Sequence, residues 1–380
     1  MKVLLCPLSA PGYRYPAIAV GLELRSRHDE VYLLGPAGAL PGAAAAGLQT
    51  LPVEAFGGAA RDLWVSRWFR AGVEQYQLIR RAARSVDADV LVTSMLCPGA
   101  LAAAASLGLP VLVLGFATHV WSYAPGPDPN GGRAWRLALL RQRFGELAER
   151  VGLPASRIAP DERALIGNGL LLRGSPALEH PDAVLPQDVR HVGPCWWEPP
   201  VDPAEIEEVH RTLDQVGKPV VYVHLGRTFG GTGLWPRLTA AFTGGRFQAV
   251  VELGRSGPAE PCLGADLLPV RLPWLTPLLA RAELVLTSAT SAPVLGALLA
   301  GRPLLVAPTG SEQPVLAEAC LRTGVASLLP TEPADCAAAL NRAWDDTALR
   351  QRARRLGGQL PGAAGAAEVV HAAVTSRASV

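Results

Sequence analysis

The stretch TSATSAPVLGALLAGRPLLVAP, Thr287 to Pro308, reads as a strand end, a tight loop, a helix, a turn and a second strand. A loop so placed aims backbone N–H groups and the positive end of a helix dipole at whatever lies before it, which suits a phosphate. Yet it has no glycine where the backbone would have to approach a ligand, and no basic residue. From the residues alone it stays open whether this is a phosphate cradle, a degraded one or a plain loop. A second place with the means to bind is WSYAPGPDPNGG, Trp121 to Gly132, a Pro/Gly/Asn loop directly after an apolar run. Loops at the carboxyl ends of strands are where open α/β sheets take their ligands. No G-x-G-x-x-G follows a first strand, which sets aside a nicotinamide dehydrogenase.

The elements that must carry these loops alternate. Short, nearly all-apolar runs predict strands at 3–8, 31–35, 89–94, 111–116 and 169–173, with helices at 16–27, 61–84, 99–107 and 133–151 between them. The plan repeats with strands at 219–225, 248–253, 284–287 and 304–307, and helices at 203–216, 236–242, 293–300, 313–323, 333–345 and 364–376. Apolar runs without alternation belong to strands covered on both faces, hence to parallel sheets. The fold class expected is α/β, with two Rossmann-like doubly wound domains facing each other across a cleft. The proline-rich HVGPCWWEPPVDP, His191 to Pro203, reads as a stiff connection between them.

Composition narrows the function. With 380 residues, 49% hydrophobic and 18% charged, the chain can bury two large cores. A net charge of +2 without a basic run argues against nucleic acid or a polybasic membrane surface. No apolar run reaches the roughly 20 residues of a membrane helix. The opening MKVLLCPLSAPG reads as a first strand rather than a signal peptide. The six cysteines show neither C-x-x-C nor zinc spacing. Reduced, packed thiols in a cytoplasmic protein are expected.

The chain resembles the GT-B architecture, and in detail the family 1 glycosyltransferases of the bacterial natural-product type. The resemblance spans nearly the whole chain. It is carried by MKVLLCPLSAPGYRYPAIAVGLELRSR, by RHVGPCWW and by PVVYVHLGR. Above all it is carried by LTPLLARAELVLTSATSAPVLGALLAGRPLLVAPTGSEQPVLAEACLRTGVA. It implies an acceptor domain over 1–195, a linker over 196–202 and a nucleotide-sugar domain over 203–360. A terminal helix within 361–380 would pack back on the first domain.

The resemblance also assigns residues. The family's small-Gly-His-x-x-Pro turn supplies a general base, oriented by an Asp from a later strand. Here the turn is PGYRYP, with Tyr13 at the histidine, and Thr93 and Ser94 hold the orienting position. Tyr13 is then a wall residue, a proton relay or a substrate ligand, since a phenol is a weak base at neutral pH. His119, in GFATHVWSY beside Trp121 and Tyr123, is the substitute base to consider. Trp64, Trp68, Phe69, Trp121 and Trp135 could line an apolar acceptor pocket, although helical spacing over 61–84 favours core packing for Trp64 and Trp68.

On the donor side, the family's His-Gly-Gly-x-Gly-Thr falls on Ser288 to Pro293. Ser288, Thr290 and Ser291 offer hydroxyl donors there, while Ala289 and Thr290 restrict backbone approach and Pro293 removes an N–H. The loop is an anion site of lower specificity, or one that has lost its ligand. Glu312 and Gln313 match the pair that holds sugar hydroxyls, or else cap a helix with Ser311. Gly226, Arg227 and Thr228 follow the first strand of the second domain, with Arg227 able to pair with phosphate. Trp274 would stack on the base, or simply pack between the domains.

The expectation is metal-free transfer, with inversion, of a sugar from a dTDP- or UDP-sugar to an apolar acceptor such as a polyketide, using a non-standard base. No cofactor is expected, since the nucleotide sugar is a co-substrate. Neither nucleic acid nor membrane insertion is expected, and a homodimer is one option. The alternative is a repurposed or inactive scaffold that binds the acceptor, runs another reaction or partners an active transferase.

Overall fold

A computed structural model describes residues 1–64, 72–116, 132–159, 162–179, 185–226, 232–254, 257–310 and 313–378. The chain divides into two compact units. The first comprises 1–176, 180–197 and 361–380, and the second 177–179 and 198–360.

The strands of the first unit are β1 (Lys2–Cys6), β2 (Glu30–Gly35), β3 (Gln49–Pro52), β4 (Val90–Ser94), β5 (Val111–Gly115), β6 (Gly169–Arg173) and β7 (Val189–Gly193). Its helices are α1 (Pro11–Ser26), α2 (Pro41–Ala45), α3 (Gly72–Ser85), α4 (Pro98–Leu107) and α5 (Gly132–Arg150). The second unit carries β8 (Val220–His224), β9 (Gln248–Glu252), β10 (Leu267–Val270), β11 (Leu284–Thr287), β12 (Leu304–Val306) and β13 (Ala326–Leu328). With them come α6 (Pro203–Val216), α7 (Trp235–Phe242), α8 (Thr276–Arg281), α9 (Ser291–Leu299), α10 (Gln313–Arg322), α11 (Pro333–Asp345) and α12 (Thr347–Gly357). The last helix, α13 (Ala364–Ala378), belongs to the first unit.

Both sheets are parallel, in the orders β3-β2-β1-β4-β5-β6-β7 and β10-β9-β8-β11-β12-β13. Each is doubly wound, so its central strands VLVTS, VLVLG and LVLT, mostly apolar without alternation, are buried on both faces. In the first unit Val3, Leu5, Val92 and Leu114 pack against Ile18 and Val20 of α1 and Ala366 and Val370 of α13. In the second, Val221, Val223, Leu286 and Leu305 pack against Trp235, Phe242, Leu340 and Trp344.

Three local expectations fail. The stretch from His191 that read as a connection begins inside the edge strand β7, Val189–Gly193. Helix α1 begins at Pro11, not Pro16, and Pro16 lies inside it. The helix expected over 61–84 is instead a 3-10 turn, Ala60–Leu63, followed after 65–71 by α3. Trp64 is therefore 50% exposed and does not pack in the core. All six cysteines are free thiols, five of them buried. Among the described residues no helix is long and apolar enough to cross a membrane.

Candidate functional site

In a doubly wound sheet the loops leaving two neighbouring strands diverge where the winding reverses, and ligands bind there. In the second unit that point lies between β8 and β11. Three adjacent strands end there in the same way. The last side chain of each accepts the backbone N–H of the residue two positions on, and that residue is left-handed. Glu252 accepts from Gly254 (2.7 Å, φ 56°), His224 from Gly226 (3.0 Å, φ 77°) and Thr287 from Ala289 (3.2 Å, φ 65°). Two of the three have the glycine this conformation favours, and β11 has alanine.

Gly226 meets its neighbour closely: a Cβ there would stand 2.5 Å from Ser288 Oγ. Ser288 is fully buried, and its hydroxyl has no hydrogen-bond partner among the described residues. Thr290 is the N-cap residue of α9, yet its side chain makes no cap bond and its buried Oγ1 is unpartnered as well. Ser291 and Ala292 open the helix, and Pro293, which has no N–H, takes the third position. Two buried hydroxyls without a partner among the described residues thus lie at the start of a nine-residue helix. Such groups cost about 1–3 kcal/mol each while unpaired.

Around this point other side chains are already engaged. The Gln313 Oε1 accepts from Thr309 N (2.9 Å), Thr309 Oγ1 (2.9 Å) and Gly310 N (3.3 Å), so it ties the β12–α10 loop together. The Gln313 oxygen is thus engaged within the chain. Trp274 is 1% exposed, and the residue showing at the surface beside it is Pro273. Of the two readings of Trp274, its burial favours packing. Carboxylates hold the backbone on both sides of Trp274 in the chain. Glu252 accepts from Leu272 N (2.9 Å), and Glu198 accepts from Leu275 N (2.6 Å) and Thr276 N (3.0 Å). Burial holds the Glu252 carboxyl above its ordinary range, against the two amides, which pull it down. Sequence reasoning missed both acids. The signal available was a lone acid closing the apolar run QAVVE. Arg227, Thr228 and Glu312 lie outside the described residues.

In the first unit the winding reverses between β1 and β4. Tyr13 is half-buried in the first turn of α1, after β1. At the end of β4, Thr93 Oγ1 donates to the Cys6 carbonyl (2.8 Å), and Ser94 Oγ accepts from Leu8 N (2.9 Å). Both are buried and lace β4 to the end of β1. The position of an orienting carboxylate is therefore occupied by structural hydroxyls. A small cavity of about 20 Å³, lined by Ser94, Met95, Cys97, Leu140 and Arg143, has room for a water. His119, Trp68, Phe69 and Trp121 lie outside the described residues, as does the Trp135 side chain. Among the described residues no group of three His, Cys, Asp or Glu is placed to hold a metal.

By sequence the chain matches no protein-family profile and no curated protein. By structure it is similar to glycosyltransferases of natural-product biosynthesis. The spinosyn forosaminyltransferase SpnP superposes with a TM-score of 0.72 at 18% identity, covering 99% of each chain. The calicheamicin glycosyltransferase CalG4 gives 0.70 at 21% identity, again over 99% of each. The spinosyn rhamnosyltransferase SpnG, in its complex with thymidine diphosphate, gives 0.66 at 21% identity, over 98% of this chain and 100% of that one. Two parallel sheets wound with helices, superposing over nearly the whole length, give this chain the GT-B fold of those glycosyltransferases.

Proposed function

We propose that the chain transfers a sugar from a dTDP- or UDP-sugar to an apolar small-molecule acceptor. The observation that carries this reading is the pair of buried, unpartnered hydroxyls, Ser288 and Thr290, at the N-terminus of α9 where the sheet winding reverses. A protein that kept this loop only as a connector would gain by pairing those groups or replacing them with apolar ones. A diphosphate would accept from both hydroxyls and from the first-turn amides, and would lie at the positive end of the helix. The thymidine diphosphate held by the structurally similar SpnG supports the choice of nucleotide. Gln313 would present its Nε2 to a sugar hydroxyl, with Glu312 beside it. Arg227 and Thr228 would reach the phosphates from the end of β8.

In this reading the acceptor lies near Tyr13, and no His–carboxylate dyad deprotonates it. Tyr13 or His119 relays the proton. The acceptor oxygen attacks the anomeric carbon from the face opposite the departing nucleoside diphosphate, so the configuration inverts. The helix end and the hydroxyls stabilise the charge that develops on the leaving group.

The second reading, a scaffold that no longer transfers sugar, is favoured by one observation: Thr93 and Ser94 are committed to the backbone of β1. Calorimetric titration with dTDP and with UDP separates the two. Micromolar binding that weakens in Ser288→Ala is expected. No heat at millimolar nucleotide would remove the transferase reading in favour of the repurposed scaffold.

A further inference from the structure

Helix α1 contains a gap in its own hydrogen bonding. Pro16 has no N–H, so the carbonyl four residues earlier, that of Gly12, loses its helical donor. Arg173, the last residue of β6, fills the gap. Its Nη1 donates to the Gly12 carbonyl at 3.4 Å and its Nε to the Pro194 carbonyl at 2.9 Å. The β6–β7 register breaks between Leu172 and Arg173. Such an irregularity re-aims the side chain next to it.

The arrangement is costly. Arg173 is 5% exposed, and its guanidinium carbon lies 5.6 Å from the centre of the Phe116 ring. Burial brings its pKa down to about 10, so it remains a cation at neutral pH. No carboxylate acts on it among the described residues. The neighbouring Cys195 thiol, pushed up to about 11 by burial, is neutral and does not balance it. A cation held inside a domain by carbonyls and a ring is unfavourable unless its donors are needed. The planar fork of arginine can serve two carbonyls at fixed angles, which a lysine cannot do as well.

We infer that Arg173 is a positioning residue for the turn that carries Tyr13. Its guanidinium stands in for the N–H that Pro16 lacks, fixes the Gly12–Tyr13 peptide and so sets the direction of the Tyr13 side chain. The functional part of this inference rests on reading that turn as the acceptor site.

The test is a cycle of four full-length proteins: wild type, Arg173→Met, Pro16→Ala and the double variant. Amide exchange is read at the first turn of α1, and at β8 and β11 as internal controls. Arg173→Met should speed exchange at that turn roughly tenfold, the worth of one charge-assisted hydrogen bond. Pro16→Ala returns an N–H to the Gly12 carbonyl, so the double variant should recover most of that loss. Faster exchange spread evenly over the first unit, or no recovery in the double variant, would overturn the inference. Where turnover is measured, Arg173→Met should lower kcat roughly tenfold at unchanged KM for the sugar nucleotide. A raised KM at constant kcat would also overturn it. If wild type binds no nucleotide while the exchange cycle behaves as stated, the transferase reading falls and the role of Arg173 in the turn stands.

Discussion

Ser288 and Gly226 are in contact at the ends of two adjacent strands, and a single added carbon on Gly226 would bring them to 2.5 Å. The glycine is needed twice, for this approach and for its φ of 77°. Gly226→Ala should therefore lose at least the roughly 1–2 kcal/mol of a left-handed alanine, with a lower Tm. Ser288→Ala should behave oppositely. It removes a buried unpaired hydroxyl, so stability should hold or rise by about 1 kcal/mol, while dTDP affinity falls. Thermal unfolding and calorimetry on the same samples read both signs. A Ser288→Ala protein that is less stable and binds as well as wild type would show that the hydroxyl serves the fold.

Ala289 invites the reverse change. Ala289→Gly relieves about 1–2 kcal/mol of left-handed strain. The freer unfolded chain takes back about 0.4–1 kcal/mol, and the lost buried methyl about 0.8 kcal/mol. These nearly cancel, so the Tm should scarcely move. The effect should appear in nucleotide affinity, which rises as the backbone is freed to approach a phosphate. Unchanged affinity would mean that the loop backbone takes no part in binding.

Thr93 cannot simply be turned back into an acid. Its hydroxyl donates to the Cys6 carbonyl inside the sheet. Thr93→Val should cost about 1 kcal/mol for that bond. Thr93→Asp should cost several kcal/mol, because a buried carboxylate would face a carbonyl. Urea titration of both variants checks the order. Tyr13→His combined with Thr93→Asp should yield a less stable protein, not a working dyad.

Glu252 sets a pH dependence. Its folded pKa lies above the unfolded carboxylate value because burial disfavours the charge. The folded chain therefore binds this proton more tightly than the unfolded chain. The contribution is fully present below the unfolded value and is lost as pH rises through the raised folded one. Glu252→Gln removes that dependence. The stability of wild type relative to the variant should grow as pH is lowered from neutral into the carboxylate range, as read by urea midpoints at several pH values. A difference that shrinks on acidification would contradict the sign.

The central strands were legible because VLVTS, VLVLG and LVLT are apolar without alternation, as burial on both faces demands. The edge strands β3, β7, β10 and β13 were not, since QTLP, LLPV and ASL are short and half-exposed and VRHVG runs into the proline-rich stretch. Pro16 read as a helix start because proline favours the first turn. Pro11 has the same preference, and the interior proline is tolerated where Arg173 supplies a donor from far along the chain. The candidate phosphate loop could be placed from chain order alone. Its left-handed alanine could not, because alanine carries no signal for that conformation. The lacing of Thr93 to Cys6 likewise depends on partners 87 positions apart.

Residues 361–380 are made after 198–360, yet they complete the unit that 1–176 began. Ala366, Ala367 and Val370 are fully buried in that earlier core. On the ribosome, the part encoded later can therefore close first, while the part encoded earlier waits with an apolar flank uncovered. Nascent chains stalled before residue 361 should be the ones that engage chaperones or aggregate.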